Sequence, residues 1–367
     1  MTDPLATPLA ALLGCRLPVI QTAMGWIAEP ALVAATVEAG GFGFLGAAVM
    51  TPGEAADKIA VLCGLTAHPF GVNFHMFQPG AADLVEIIVA NRDRVRAVSF
   101  GRGPDAKMIA RFRDAGILCV PTVGAVKHAR KMAELGVDMV VVQGAEGGGH
   151  TGAVATTVLL PQVLDSVGIP VVAAGGFADG RGLAAALAWG AAGVAMGTRF
   201  LMTRESPVPD AVKQRYLAAG TDDIEVTRTV DGLPQRMIRN KALTRLAVGG
   251  ALASWRNAVS AGLAIKRATG ASWGEILRAA QGMRVHGGLT LAQAMRAAAA
   301  PMLIQRAVVS GDSEAGLMAT GQVAGRLSDL PSVADLLAAI EHDARARLAA
   351  LSPDPTPLSP NHLRMSA

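Results

Sequence analysis

The chain is poor in cysteine, in aromatic residues and in charge of either sign. Only 3 cysteines occur in 367 residues, Cys15, Cys63 and Cys119. They are too few and too scattered for a disulfide framework or a CxxC metal site, and no metal is expected. Each reads as a small buried apolar residue, which fits a reducing, cytoplasmic compartment. Aromatics make up 4% of the chain, leaving little to stack on nucleic-acid bases. Lys and Arg number 33 against 29 Asp and Glu, a net charge of +4 with no block of five or six like charges. No nucleic-acid partner is expected, and the small surplus offers a modest attraction for anionic substrates. The N-terminus, Met-Thr-Asp-Pro, lacks the basic segment of a secretory signal. The longest run free of charge and histidine lies between Arg181 and Arg199 and contains Gly190, Gly193 and Gly197. It is shorter than the ~18 residues that nominate a membrane helix, so no membrane partner is expected.

Hydrophobic residues make up 51%, and 42 residues are glycine. That composition supports a large core with tight helix-to-strand packing. From about residue 17 to 200, short apolar runs alternate with helical patterns. The runs are 18–23, 43–47, 70–74, 95–100, 117–122, 139–143, 171–174 and 194–196. Mostly apolar runs of this length are the mark of parallel strands covered on both faces. Between them, 30–39, 52–63, 105–115, 125–135 and 181–189 have helical spacing and end at Gly40, Gly64, Gly116, Gly136 and Gly190. The helix at 81–89 is the least marked, and 207–219 would follow the eighth strand. Eight βα units predict a (β/α)8 barrel over residues 1–220. Beyond residue 220 the rhythm changes. Residues 221–240 are polar, and helices are predicted at 241–268, 272–283 and 289–307. Residues 221–309 are read as a helical lid or substrate subdomain. Residues 310–351 return to the barrel with a helix at 332–351, and 352–367 form a loose tail.

Active sites of such barrels lie at the C-terminal strand ends. The seventh and eighth ends read Ala173-Ala174-Gly175-Gly176-Phe177-Ala178-Asp179-Gly180 and Met196-Gly197-Thr198-Arg199-Phe200. Glycines there free backbone N–H groups to approach a phosphate; the plainer alternative is tight turns. No GxGxxG follows the first strand, which ends Gln21-Thr22-Ala23-Met24-Gly25-Trp26. A phosphate-bound small ring system such as FMN fits better than a dinucleotide. The sixth end, Gln143-Gly144-Ala145-Glu146-Gly147-Gly148-Gly149-His150-Thr151-Gly152, presents a histidine on a glycine-rich loop. That suits a general acid or base over a cofactor ring; the alternative is a solvated loop histidine. His75 follows a strand end and is a candidate to line the site. Asn73 is placed to bond a flavin carbonyl or ring nitrogen, or to cap a turn.

These motifs resemble the nitronate monooxygenase (2-nitropropane dioxygenase) superfamily of FMN-dependent TIM barrels. Its members also include enoyl-thioester reductases and NADH:quinone reductases. The resemblance rests on Pro18-Val19-Ile20-Gln21-Thr22-Ala23-Met24, Gly71-Val72-Asn73-Phe74, the Gln143 to Gly152 loop, the two glycine-rich strand ends, and Gly321-Gln322-Val323-Ala324-Gly325. It implies that Thr22, Ala23 and Met24 contact the flavin ring, and that Asn73 and Gln143 bond ring or ribityl chain. It further implies that Thr122 sits beside the cofactor, that Gly148, Ala174, Gly175, Gly176, Gly197 and Thr198 hold ribityl and phosphate, and that His150 is catalytic. Three departures bear on substrate. Thr22-Ala23 stands where many members have Gly-Gly, Gly147 stands where many have Ala, and Thr122 stands where some have Lys.

A nearer resemblance is to a branch acting on CoA thioesters from steroid ring degradation. It is carried by Gln21-Thr22-Ala23-Met24-Gly25-Trp26, the Glu146 to Thr151 segment, Thr229-Val230-Asp231-Gly232-Leu233-Pro234, Met283-Arg284, Ala300-Pro301-Met302-Leu303 and Glu314-Ala315-Gly316. A CoA substrate would give Arg236, Arg239, Lys241 and Arg284 phosphates to bind; the alternative is a solvated helix face. Two enzymatic expectations follow: oxidation of alkyl nitronates with O2 through FMN, and NADH- or NADPH-dependent reduction of an unsaturated CoA thioester. A flavin-storing barrel without catalysis is a third reading, against which His150 in its loop argues. A homodimer is compatible with the sequence.

Overall fold

The computed structural model describes residues 3–101, 104–247 and 291–351. Arg284, the predicted helix at 272–283, most of that at 241–268 and the tail 352–367 lie outside the described residues. The barrel strands are β1 (Val19–Gln21), β2 (Phe42–Gly46), β3 (Phe70–Asn73), β4 (Val95–Ser99), β5 (Leu118–Cys119), β6 (Thr122–Val123), β7 (Val140–Gln143), β9 (Val171–Ala174) and β10 (Gly193–Met196), with β8 (Gly149–His150) outside them. Their order is β5-β4-β3-β2-β1-β10-β9-β7-β6, and every pairing is parallel.

The two ends of that order are one strand. Between β5 and β6 lie Val120 and Pro121, and proline cannot donate to the ladder. Val120 N–H donates to Val98 O at 2.8 Å and Thr122 N–H to Phe100 O at 2.9 Å on one side. On the other side Val141 N–H donates to Pro121 O at 2.8 Å. The sheet therefore closes, and nine short strands make the eight of a (β/α)8 barrel.

Side chains alternate across the wall. Ile20, Phe42, Phe44, Ala97, Val120, Met139, Val141, Val172, Ala174 and Ala195 fill the lumen. Val19, Leu45, Val72, Val98, Val140, Val142, Val171 and Val194 join the cluster beneath the helices. Phe42 and Phe44 meet edge to face at 5.2 Å. Gly71 makes room for them, because a Cβ there would lie 2.3 Å from Phe44 Cδ1. Leu9 and Leu13 of α1 (Pro8–Leu13) join the lumen cluster. The sequence reading did not assign this helix: its six residues are too few for a periodic pattern, and Thr7 and Gly14 cap it.

The outer helices are α2 (Pro30–Glu38), α3 (Pro52–Leu65), α4 (Ala81–Ala90), α5 (Ala106–Asp114), α6 (Val126–Glu134), α7 (Thr156–Leu164) and α8 (Gly180–Ala188), followed after β10 by α9 (Thr198–Leu201) and α10 (Asp210–Leu217). Burial pushes the Cys15 and Cys119 thiols up to about 12, which leaves neither a nucleophile at neutral pH.

A second sheet crosses the barrel mouth. It pairs β8 with a hairpin of β11 (Ile224–Thr227) and β12 (Gln235–Ile238) in the order β11-β12-β8. Both hairpin strands lie in the polar stretch 221–240. All four β12 residues are buried, including Gln235 and Arg236, so no apolar alternation marks the strand. Then come α11 (Lys241–Ala247), α12 (Leu291–Val308) and α13 (Val333–Leu351). Val230, Met237, Ala242, Leu243, Ala300 and Leu317 form a small separate core under the hairpin. α13 lies against α8, where a Cβ on Gly180 would come within 2.5 Å of Ile340 O. Among the described residues, no helix is long and apolar enough to cross a membrane.

Tyr216 of α10 is fully buried, and its hydroxyl donates to Ala319 O at 2.9 Å. Ala319 in turn bridges Met237 of β12. Tyr216→Phe is expected to cost about 1 kcal/mol, read as a fall in Tm of about 2 °C in a thermal melt.

Candidate active site

The strand ends expected to carry chemistry converge on one mouth. Thr22 is tied to the eighth strand by its N–H, which donates to Met196 O at 3.0 Å, and by its hydroxyl at 3.3 Å. Gly197 keeps this contact tight: a Cβ there would lie 3.0 Å from Thr22 Oγ1 and 3.6 Å from Met24 Sδ. Thr22, Ala23 and Met24 are half-buried. Trp26, next in this loop, has φ +60, the one positive φ outside glycine among the described residues. Such strain persists where surrounding structure enforces it, and it clusters at functional sites. Buried Gln21 donates through Nε2 to Phe44 O at 3.3 Å, while its Oε1 has no protein partner.

Asn73 donates through Nδ2 to Ser99 O and Ser99 Oγ at 3.0 and 2.9 Å. Its carbonyl oxygen takes part in neither bond. Thr122 is half-buried at the fifth strand end. His75 stacks on Phe77 with ring centres 5.2 Å apart and planes 9° off parallel, and Phe77 is 63% exposed.

Beyond β9, Gly175 and Gly176 have φ +96 and +87. Only glycine adopts this pair without strain. Ala174 O accepts the Gly144 N–H at 3.0 Å, which fixes the seventh strand end to the sixth. Gly148 is crossed by the C-terminal segment, where a Cβ would sit 2.6 Å from Gly321 N. Gly321 N–H donates to Thr198 Oγ1 at 2.8 Å, and Gln322 N–H to Glu146 O at 2.9 Å. Residues 320–322 thereby join the sixth and eighth loops.

Two of the candidate side chains bond backbone carbonyls of the sixth loop. Gln143, expected to bond the flavin, donates through Nε2 to His150 O at 2.9 Å and so holds the histidine's backbone. Arg236, expected to meet a substrate phosphate, is 8% exposed and donates to Ala145 O at 2.8 Å. Burial lowers its pKa, and Glu146 partly offsets that. Glu146 itself accepts from Thr156 N–H at 3.0 Å and Thr156 Oγ1 at 2.7 Å, which anchors the start of α7. Arg239 stays on the surface, 3.1 Å from Glu225. With Asn240, Lys241, Thr244, Arg245 and Glu314 it lines a cavity of about 400 Å³ holding three cations and one carboxylate.

His150 lies in β8 opposite Gln235. Its Nε2 is 2.6 Å from Asp231 Oδ2, with side-chain exposures of 45% and 14%. Asp231 was not singled out as a site residue from sequence; it appeared only inside the Thr229 to Pro234 motif. Burial pushes its carboxyl up, but hydrogen bonds from His150, the Gln235 side chain and Leu233 N–H, with the charge of His150, outweigh burial and hold it below the ordinary carboxylate value. A lowered folded pKa stabilises the fold above the unfolded value near ~4, and that stability is lost as pH falls through the folded value. The gap in Tm between the protein and Asp231→Asn is therefore expected to be largest at neutral pH and to shrink in melts below about pH 4. Among the described residues, no group of three or more His, Cys, Asp or Glu is placed to hold a metal.

The sequence profile of the nitronate monooxygenase family matches residues 6–343. The chain belongs to this family. It is an oxidoreductase acting on a small molecule. A relative from Mycobacterium tuberculosis, (3aS,4S,5R,7aS)-5-hydroxy-7a-methyl-1-oxo-octahydro-1H-indene-4-carboxyl-CoA dehydrogenase, is 49% identical over 94% of this chain and 97% of its own length. The protein of that name from Rhodococcus jostii is 48% identical over 95% and 98%. FabK from Thermotoga maritima superposes with a TM-score of 0.75 at 34% identity, covering 94% of this chain and 98% of its own. The family match takes in both the barrel and the segment that supplies Asp231, so the nitronate monooxygenase fold here includes the hairpin over its mouth.

Proposed function

We propose that this chain is an FMN-dependent oxidoreductase that removes two hydrogens from a fused-ring carboxylic acid held as its CoA thioester, as in steroid ring breakdown. One observation carries the choice of substrate class. The strand that pairs with His150 runs directly into the cation-lined cavity at Arg239, Lys241 and Arg245. The acid/base group and a region suited to CoA phosphates therefore share one short segment, and two relatives named for such a dehydrogenation match it over nearly their full length. Oxidation of an alkyl nitronate would use the same barrel and the same histidine, but it gives the cationic cavity no role.

The mouth fits FMN. Left-handed Gly175 and Gly176, with Gly197, leave a cradle that Cβ atoms would fill, and Gln21 Oε1 is a buried acceptor without a protein partner. Gly148, Ala174, Gly175, Gly176, Gly197 and the Thr198 backbone would hold ribityl and phosphate; Thr22, Ala23, Met24, Asn73 and Thr122 would line the ring. FMN, when bound, would supply the two-electron acceptor for the hydride of the β-carbon. His150 takes the proton from the α-carbon, where the thioester carbonyl has made it acidic. Gln143 and β12 fix the His150 backbone, so its ring moves only about its side-chain bonds. The relatives are named for dehydrogenation, the reverse of the reductive direction considered from sequence, and O2 or another acceptor would restore the flavin.

Aerobic incubation of the yellow protein with the relatives' named thioester tests this. The expected product is the α,β-unsaturated thioester, lighter by two hydrogens in mass spectrometry. Recovery of unchanged thioester, with turnover of an alkyl nitronate instead, would overturn it.

A further inference from the structure

We infer that Asp231 is the positioning residue for His150 and that it makes Nδ1, rather than Nε2, the nitrogen that exchanges a proton with substrate. This rests on the dehydrogenase reading above. An ionised carboxylate only accepts, so at 2.6 Å from Asp231 Oδ2 the hydrogen between the two groups belongs to His150 Nε2. A neutral imidazole carries one N–H, so its lone pair is then on Nδ1.

Asp231 is built to stay ionised and in place. Oδ1 accepts Leu233 N–H at 3.0 Å, and Gly232 with φ +85 turns the chain to bring that N–H round. The Gln235 side chain, 3% exposed, donates to the same carboxyl. Gln235 also sits opposite His150 in the ladder, so one strand register places both the histidine and the donor that steadies its partner. His150's carbonyl is held separately by Gln143 at 2.9 Å. Ring rotation is the freedom left, and the Asp231 bond removes it.

The step balances. The α-carbon C–H bond breaks and its proton goes to Nδ1, while its electron pair forms the Cα=Cβ bond. The hydride leaving the β-carbon goes to the bound flavin of the proposed function. The imidazolium so formed faces the Asp231 carboxylate, and its proton returns to solvent through a ring that is 45% exposed. This is the arrangement in which a buried carboxylate sets the tautomer and stabilises the imidazolium without itself taking a proton.

The test uses the FMN-loaded enzyme labelled with ¹⁵N-histidine, with His150 assigned by difference from a His150→Gln sample. In the neutral form of the ring the expected spectrum shows protonated Nε2 and unprotonated Nδ1. Asp231→Asn is expected to shift the proton towards Nδ1. It should also lower the anaerobic rate of flavin reduction by the relatives' thioester about 10²–10⁴-fold, with KM and FMN content little changed. Asp231→Glu should restore part of the rate. A wild-type spectrum with the proton on Nδ1, or Asp231→Asn reducing its flavin as fast as wild type, would overturn the inference. A wild-type enzyme whose flavin the thioester does not reduce would instead overturn the dehydrogenase reading, and the tautomer result would still report on Asp231.

Discussion

Replacing His150 by glutamine is expected to lower the rate of flavin reduction by about 10²–10⁴, the usual share of a general acid or base. The variant should keep its fold and its FMN. His150 lies outside the hydrophobic clusters, its ring is 45% exposed, and its backbone is held by Gln143 and by pairing with Gln235. Glutamine retains a polar group for Asp231 but cannot take a proton. Rapid mixing under nitrogen, followed at the visible flavin band, measures the rate. An unchanged rate would make His150 a surface residue with no part in the reaction.

The second large effect concerns the proposed cofactor cradle. Converting both Gly175 and Gly176 to alanine is expected to weaken FMN binding roughly 10- to 10³-fold. The left-handed region costs an ordinary residue about 1–2 kcal/mol, and ~1.4 kcal/mol is tenfold in affinity. Crowding adds to this at Gly175, where a Cβ would lie 3.1 Å from Thr156 Oγ1 and 3.2 Å from Gly144 N. At Gly176 the nearest atom is 3.5 Å away, so strain there is conformational rather than steric. The loop is expected to relieve both by rotating, which would turn its N–H groups away from the proposed phosphate position. Quenching of free FMN fluorescence gives the affinity, and far-UV circular dichroism should be unchanged because β9 ends before the turn.

The barrel was legible in the sequence because its strands are buried on both faces, so Val19-Ile20 or Val140-Val141-Val142 stand out as apolar runs. The glycine pair at 175–176 was equally visible, since few other residues suit that backbone. The hairpin over the mouth was hidden by Gln235 and Arg236, polar residues buried in hydrogen bonds. Asp231 was hidden by distance: it meets His150 across 81 residues of chain, a pairing set by the β8–β12 register and not by local spacing. The backbone bonds of Gln143 and Arg236 were not legible, because residue type alone cannot say which carbonyl an amide or a guanidinium will meet.

In the proposed function the barrel, the hairpin and the cationic cavity together serve a CoA thioester. An anaerobic titration of the FMN-loaded protein tests it most directly. The relatives' named thioester and an alkyl nitronate are added separately, with NADH and NADPH in further samples. Bleaching of the flavin band by the thioester, and faster than by the nitronate, is the predicted result. Bleaching by the nitronate with none by the thioester would contradict it, and bleaching by a nicotinamide alone would reverse the proposed direction of hydride transfer.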